Sequence, residues 1–329
     1  MDMLEFLRKL PDEIEEAIEF DVPHFDEKPA RIFLGGMGGS AISGDVAKLV
    51  MSDLDIPFEI IRDYRLPAYA GEKDILVASS YSGNTEESLS LYEDGLSRNM
   101  RILVITSGGK LLELAQKNNN FYVKIPSGFP PRTALGYLFT PIVMTCVKSG
   151  FVGDHHRENL KKLPDFMRNL QKEFESVDSL PLEIAKKLYF RFPIIYTSRR
   201  MYPVALRWKA QINENAKAFA HIMDFPEMNH NEIAGIKNPK ERVEALWAIF
   251  MEDMEDYERI RLRFRHTMDL IRDSVMGITH ILSRGNSTVE RVFYLIYLGD
   301  YVSYYLAKLY NEDPVAIPRI DELKRRLSK

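Results

Sequence analysis

Val77-Ala78-Ser79-Ser80-Tyr81-Ser82-Gly83-Asn84-Thr85-Glu86-Glu87 decides how this chain is read. The apolar run Ile75-Leu76-Val77-Ala78 stops at a cluster of hydroxyls and a glycine. A helical pattern then begins, with Leu89, Leu91 and Leu96 set among polar residues. The spacing predicts a strand, a turn and a helix. Such a turn offers the hydroxyls of Ser80, Ser82 and Thr85, together with the backbone N–H groups of a helix start. Both suit a phosphate. The stretch carries neither a base for a nucleophile nor a set of metal ligands. It is expected to hold an anion still while chemistry happens elsewhere.

The same grammar recurs on the amino-terminal side. Helical spacing of Leu4, Leu7, Leu10, Ile14, Ala17 and Ile18 predicts a lead helix over 2–20. Ala30 to Leu34 reads as a strand running into Gly35-Gly36-Met37-Gly38-Gly39-Ser40, with a helix through about Met51. Gly36, Gly38 and Ala41 fit the loose dinucleotide pattern Gly-x-Gly-x-x-Gly/Ala, which is weak alone. That reading also needs an acidic residue closing the next strand to hold a ribose. The strand expected over 57–62 is followed by Asp63, a late candidate. The competing reading lets the backbone at Gly38 and Gly39 approach a small ligand, with Ser40 as one more hydroxyl. The second hydroxyl turn, at Ser80, favours the latter.

On the carboxyl-terminal side, a strand over 101–105 ends at Thr106-Ser107-Gly108-Gly109, a third polar turn. A strand over 121–125 leads into Pro126-Ser127-Gly128-Phe129-Pro130-Pro131-Arg132-Thr133. This rigid loop delivers Arg132 to the start of an apolar helix over 134–147. A cation at a helix start opposes the dipole. Arg132 is therefore either bonded to a carboxylate or kept for a ligand's charge. Alternating strands and helices with polar turns at the strand carboxyl ends give a doubly wound parallel sheet, and ligands bind at those ends.

Residues 150–181 are polar and helical, and a domain boundary is expected there, dividing the chain into 1–152 and 153–329. Strands over 192–196, 221–225, 243–250 and 274–278 then alternate with helices over 204–218, 252–271 and 287–310. A terminal helix holds Lys324. The fold class expected is α/β, with two doubly wound, flavodoxin-like parallel-sheet domains and added helices.

At 329 residues the chain is long enough for two ordinary domains. Its net charge of −4 argues against a nucleic-acid or anionic-membrane partner, since both select a basic surface. No apolar run approaches the ~20 residues of a membrane span. Asp2, Glu5, Asp12 and Glu13 do not make a signal peptide, so the expected compartment is the cytoplasm. The single cysteine, Cys146, excludes an intramolecular disulfide and reads as a buried core residue. The basic Lys324-Arg325-Arg326 reads as a solvated helix face. His155-His156 has no neighbouring third ligand in the sequence and reads as a solvated helix start. No metal site and no cofactor are expected.

Two further places can carry chemistry. Asn213-Glu214-Asn215 interrupts an apolar neighbourhood with mediocre helix formers. Glu214 is either a structural hub or a proton carrier. His230 sits between Asn229 and Asn231 after a proline-bearing loop, where a histidine is either structural or functional. A phosphate-gripping turn, one glutamate, one histidine and no metal set suit proton transfer on a phosphorylated small molecule.

Gly-Met-Gly-Gly-Ser (36–40), Ser-Tyr-Ser-Gly-Asn-Thr (80–85), Pro-Arg-Thr-Ala-Leu (131–135), Asn-Glu-Asn-Ala-Lys (213–217) and Asn-His-Asn-Glu (229–232) occur in this order. Asp313-Pro314 and Leu323-Lys324 follow. Across essentially the whole chain this resembles the bifunctional phosphoglucose/phosphomannose isomerase family, built from two sugar isomerase (SIS) domains. The resemblance implies a metal-independent aldose–ketose isomerase that interconverts glucose 6-phosphate, and mannose 6-phosphate, with fructose 6-phosphate through a cis-enediol. It implies that Ser80, Ser82, Thr85 and Ser40 hold the phosphate, with Gly38 and Gly39 lending backbone to the pocket. By the same resemblance Glu214 is the base, Arg132 stabilises the enediolate, and Lys324 lies near the ring oxygen. His230 assists ring opening from the other subunit of a homodimer. Family members that accept mannose 6-phosphate can carry a threonine shortly before that lysine, and Ile317 stands at the matching position. Competing readings are a non-catalytic phosphosugar-binding regulator, a dinucleotide-dependent oxidoreductase and a metal-dependent isomerase. The retained Glu214, His230 and Arg132 speak against the first of these.

Overall fold

The computed structural model describes residues 2–327. The chain forms two compact units. One runs from Arg8 to Arg168, and the other gathers residues up to Leu7 and from Asn169 onward. The division thus falls after Arg168, 16 residues beyond the point at 152 that the sequence suggested.

The first unit is built from the part of α1 (Met3–Ile18) that follows Leu7, β1 (Ile32–Gly35), α2 (Gly38–Val50), β2 (Phe58–Ile61), β3 (Ile75–Ser79), α3 (Glu86–Ser97), β4 (Arg101–Thr106), α4 (Gly109–Lys117), β5 (Phe121–Lys124), α5 (Leu135–Lys148) and the start of α6 (His155–Phe174). All five strands are parallel, in the order β2-β1-β3-β4-β5. Every residue of β1 and β3 is buried. A parallel strand covered on both faces reads as a continuous apolar run, which is why these two were legible. Edge strand β5 buries only Val123. One core joins Phe33, Leu76, Leu91, Tyr92, Ile102 and Val104. Helix α5 is buried over all but its last residue and contains Cys146, whose thiol is pushed up to about 12 by burial. That thiol is inert at neutral pH.

The second unit continues with α7 (Leu180–Leu188), β6 (Phe192–Ser198), α8 (Tyr202–Asn215), β7 (His221–Phe225), α9 (Glu232–Gly235), α10 (Lys240–Val243), β8 (Leu246–Glu252), α11 (Glu258–Ile271), β9 (Gly277–Leu282), α12 (Thr288–Leu309) and α13 (Pro318–Leu327). Its strands are also parallel, in the order β7-β6-β8-β9. This repeats the first four positions of the other sheet. Among the described residues no helix is long and apolar enough to cross a membrane.

Several element boundaries differ from the sequence reading. The strand expected over 243–250 is β8 at Leu246–Glu252, with Val243 closing α10, and two other starts have a local cause in their hydrogen bonds. The helix expected from Glu252 starts at Glu258, because Asp256 turns back on Asp253. Its carboxylate accepts from the Asp253 N–H at 2.8 Å, and its own N–H donates to the Asp253 carbonyl at 2.9 Å. Such an aspartate turn competes with helix. The strand expected from Ser274 starts at Gly277, because the N–H groups of Ser274 and Val275 still close α11 on the Ile271 carbonyl.

Three of the polar residues of α8 have a structural explanation. Arg207, Gln211 and Asn215 fall at i, i+4 and i+8 and so share one helix face. Arg207 grips Asp300 of α12 at 3.0 and 2.7 Å, both residues being almost wholly buried. Gln211 donates to the same carboxylate at 2.9 Å, and Asn215 donates to Ser303 at 2.9 Å. Trp208 adds a bond to the Leu295 carbonyl at 2.7 Å. Helix α12 is itself fixed at its start by a reciprocal cap between Ser287 and Glu290. A buried ion pair adds little net stability, but removing one partner typically costs ~3–5 kcal/mol. Asp300→Ala is therefore expected to destabilise the second unit by that order of free energy, read as a lower urea midpoint. Both tryptophans, Trp208 and Trp247, lie in this unit, so their fluorescence reads its unfolding. An unchanged midpoint would contradict the bolt.

Candidate active site

In the first sheet the chain leaves β1 for β2 on one side and returns to β3 on the other. Loops at such a switch point diverge and open a crevice at the carboxyl ends of the strands. The two loops that flank it are the glycine turn after β1 and the hydroxyl turn after β3.

Within the hydroxyl turn, buried Ser80 donates to the Thr85 hydroxyl at 2.9 Å and accepts from the Gly83 N–H at 3.1 Å. Ser82 is exposed at the rim and accepts from the Asn84 N–H at 3.3 Å. Thr85 immediately precedes α3, and its side chain does not cap that helix. Gly83 has a φ of +70°, and a Cβ there would run into the carbonyl of Gly108. Only glycine fits.

The third polar turn is a buttress for the second. Ser107 donates to the Tyr81 carbonyl through its N–H at 3.0 Å and its hydroxyl at 2.7 Å. Lys110 N–H donates to Asn84 Oδ1 at 3.0 Å, and Leu111 N–H to the Gly83 carbonyl at 2.9 Å. Tyr81 was not singled out in the sequence, yet it ties the turns together. Its N–H donates to Ser40 Oγ at 3.2 Å. Its hydroxyl donates to the Pro126 carbonyl at 3.1 Å and accepts from the Phe129 N–H at 2.8 Å. Its only sequence signal was an aromatic among small polar residues.

Arg132 lies in a short turn, Pro131–Thr133, and is only 5% exposed. The glycine turn meets it directly: a Cβ on Gly39 would stand 2.9 Å from the Pro131 carbonyl oxygen and 3.3 Å from Arg132 Cα. Gly38 has open space above it and a φ of +50°. Gly38, Gly39, Ser40, Ser80, Thr85 and Arg132 therefore gather around one crevice of the first unit, with Ser82 at its edge. The dinucleotide reading fares worse. The space over Gly39 is taken by the Pro131-Arg132 backbone, and Asp63 Oδ1 accepts from its own neighbour's N–H, that of Tyr64, at 2.6 Å.

The switch point of the second sheet, between β6 and β8, has the opposite character. Arg200 pairs with Asp253, and Arg291 reaches the same carboxylate at 3.0 Å. Ser283 donates to it at 2.5 Å. Arg261 and His280 hold Glu252 at 2.7 and 2.8 Å. Burial pushes the Asp256 carboxyl up to about 6, against the opposing pull of Ser198 and Arg200. Carboxylates and paired arginines fill this place, so it is not a ready anion site.

The remaining sequence-selected residues all lie in the second unit. Glu214 is half-buried in the last turn of α8, one residue off the ladder that bolts the helix. Lys217, at φ +53°, donates to the Asn215 carbonyl at 3.2 Å and to the carbonyl of Asp313. His230 ends a short turn, Glu227–His230, and its exposed ring makes no hydrogen bond among the described residues. The neighbours on either side are anchored. Asn229 donates to Thr267 at 2.9 Å, and Asn231 donates to Glu227 at 2.7 Å and caps α9. Glu232 is held below the usual carboxylate range. Burial opposes this, but bonds from His221 at 3.0 Å and Tyr196 at 2.9 Å outweigh it. Lys324 is exposed on α13, a helix with no buried residue.

Comparison with known proteins gives this geometry its lineage. Residues 178–327 match the model of the bacterial phospho-glucose isomerase C-terminal SIS domain. A bifunctional phosphoglucose/phosphomannose isomerase of Caldicellulosiruptor bescii is 42% identical over 99% of both chains. Another from Aquifex aeolicus is 36% identical over 89% of each. The chain belongs to the bifunctional phosphoglucose/phosphomannose isomerase family. Its fold is shared more widely. A hypothetical protein from Thermus thermophilus superposes with a TM-score of 0.77 at 15% identity, covering 99% of this chain and 89% of that one. The C-terminal domain of glucosamine-fructose-6-phosphate aminotransferase from Francisella tularensis superposes with a TM-score of 0.72 at 15% identity, covering 96% and 98%.

A methyl group at residue 83 would push the hydroxyl turn off its buttress. Gly83→Ala is expected to weaken phosphosugar binding at least tenfold by calorimetry, while tryptophan-monitored unfolding of the second unit stays unchanged. Undiminished binding would show that the turn's shape is not needed for the ligand.

Proposed function

We propose that this protein is an aldose–ketose isomerase that interconverts glucose 6-phosphate and mannose 6-phosphate with fructose 6-phosphate. The observation that carries this reading is the full-length match to relatives named for both activities. The hydroxyl-lined crevice of the first unit supports it, since a phosphosugar brings a dianion that needs such donors.

In this reading Ser80, Ser82, Thr85 and Ser40 hold the phosphate, and the bare backbone of Gly38 and Gly39 lies along the sugar. The anchor is remote from the reacting carbons, so its binding energy serves orientation. The Glu214 carboxylate takes the proton from C2 of the aldose, leaving a cis-enediol, and returns it to C1 to give the ketose. The hydroxyl proton moves from O2 to O1 in the same exchange. Arg132 offsets negative charge on the enediolate, where little water screens it. Lys324 sits near the ring oxygen. Glucose and mannose 6-phosphates differ only at C2 and share one planar enediol, so protonation on either face of C2 accounts for a dual activity. These steps require no metal ion.

A cytoplasmic homodimer is part of the proposal, with His230 assisting ring opening from the partner copy. The exposed ring of His230 and the outward Ile320, Leu323 and Leu327 of α13 are consistent with surfaces that a second copy completes. Ile317 is half-buried, and its carbonyl accepts from the N–H groups of Ile320 and Asp321 to open α13.

The test supplies fructose 6-phosphate in the presence of a chelator and follows both aldose products. Both are expected to form. Glu214→Gln is expected to bind the sugar phosphate normally and to lose on the order of 10²–10⁴-fold in kcat. Near-normal turnover by this variant would remove Glu214 from the mechanism. Binding without any product from the wild-type chain would favour a regulatory phosphosugar-binding protein.

A further inference from the structure

His155 and His156 open α6, and no third ligand stands near them in the sequence. The fold supplies one. Asp53, just beyond the end of α2 and about a hundred residues away in the chain, faces both rings. His156 Nε2 lies 2.6 Å from Asp53 Oδ1, and His155 Nε2 lies 3.8 Å from Asp53 Oδ2. The three ligand atoms all fall within 4.8 Å of one another.

Neighbouring residues on a helix normally point about 100° apart. These two imidazoles instead lie 4.1 Å apart, centroid to centroid, tilted by 37°. Gly153 makes that possible. A Cβ there would stand 2.5 Å from His155 Nδ1 and 2.9 Å from its Cε1, so the ring folds back over a bare backbone. The Gly153 N–H also points at Asp53 Oδ2, 3.5 Å away. Each imidazole thus presents the same nitrogen, Nε2, to a different oxygen of one carboxylate.

We propose that Asp53, His155 and His156 form a binding site for a borderline divalent transition-metal ion, with zinc the best match. Zinc bonds of ~2.0–2.2 Å in a tetrahedron place ligand atoms roughly 3.2–3.5 Å apart. The two nitrogen–oxygen separations lie on either side of that value, so small rotations of the exposed Asp53 and His155 side chains about the buried His156 bring all three into range. Three protein ligands leave one position for water. Two imidazoles with one carboxylate select zinc, nickel or copper over magnesium or calcium, which prefer oxygen ligands throughout.

The position gives the site its consequence. Helix α2 starts at the anion crevice and runs back for 13 residues. At 1.5 Å per residue this carries Asp53 about 20 Å away, to the opposite end of the sheet. An ion there clips the end of α2 to the start of α6 and stabilises the folded state by mass action. It takes no part in isomerisation. Three other histidine–carboxylate pairs, His24 with Asp26, His221 with Glu232 and His280 with Glu252, have no third ligand of this kind among the described residues.

The experiment titrates zinc chloride into the full chain after chelator stripping and dialysis, by calorimetry, with thermal unfolding followed in parallel. One equivalent is expected to bind with micromolar or tighter affinity and to raise the melting temperature. His155→Ala removes an exposed ligand that the fold does not need, and Asp53→Asn removes the carboxylate charge. Each is expected to weaken binding at least tenfold and to abolish the thermal shift. Absence of zinc binding by the wild-type chain would overturn the proposal. Equal binding by both variants would also overturn it, because the ion would then sit on another pair.

Discussion

A parallel strand covered on both faces has polar groups to spare only at its ends, and the rest of this structure follows from what the chain places at the carboxyl ends of two such sheets. At the first, β1 and β3 run out into glycine and hydroxyl turns held open by Tyr81, Ser107 and the contact of Gly39 with Pro131. At the second, the equivalent ends of β6 and β8 carry Arg200, Glu252, Asp253 and Asp256 locked in ion pairs. One topology thus yields two different electrostatic results. Hydroxyls and helix N–H groups invite an anion, whereas a cluster of carboxylates repels one. The repeat is architectural, and only one copy carries the glycine and hydroxyl turns at its switch point.

The second unit contributes rigidity in exchange. The ladder of Arg207, Gln211 and Asn215 against Asp300 and Ser303 fixes the rotation of α8 about its own axis. Glu214 is one residue from the ladder, so the ladder sets the direction in which its side chain leaves the helix. In the proposed mechanism Glu214 carries a proton over short distances, a task that needs this kind of support from neighbouring groups. The same logic appears around His230, where Asn229 and Asn231 bind the framework and leave the ring outward.

Much of this was legible in the sequence because buried parallel strands announce themselves as apolar runs and their turns as glycine and hydroxyl clusters. The parallel arrangement was readable from alternation, and the residues around the first crevice from the turns. Other features were hidden for physical reasons. The Asn213-Glu214-Asn215 interruption hinted at function, but the helix's polar stripe answers to a partner 93 residues away, which no local pattern reveals. The Asp253–Asp256 turn shortened a helix whose composition looked continuous. His155-His156 lacked a ligand only along the chain. Asp53 became their neighbour through the packing of α2 and α6. Local chemistry could be read, and long-range pairings of polar side chains could not.

In the proposed function the phosphate lies in the crevice between β1 and β3. A crystal structure of the Glu214→Gln variant soaked with fructose 6-phosphate tests it most directly. Phosphate density against Ser80, Ser82 and Thr85, with the sugar extending past Gly38 and Gly39, is the predicted result. Phosphate seated on Arg200 and Arg291 at the second sheet, with the hydroxyl turn empty, would contradict the account.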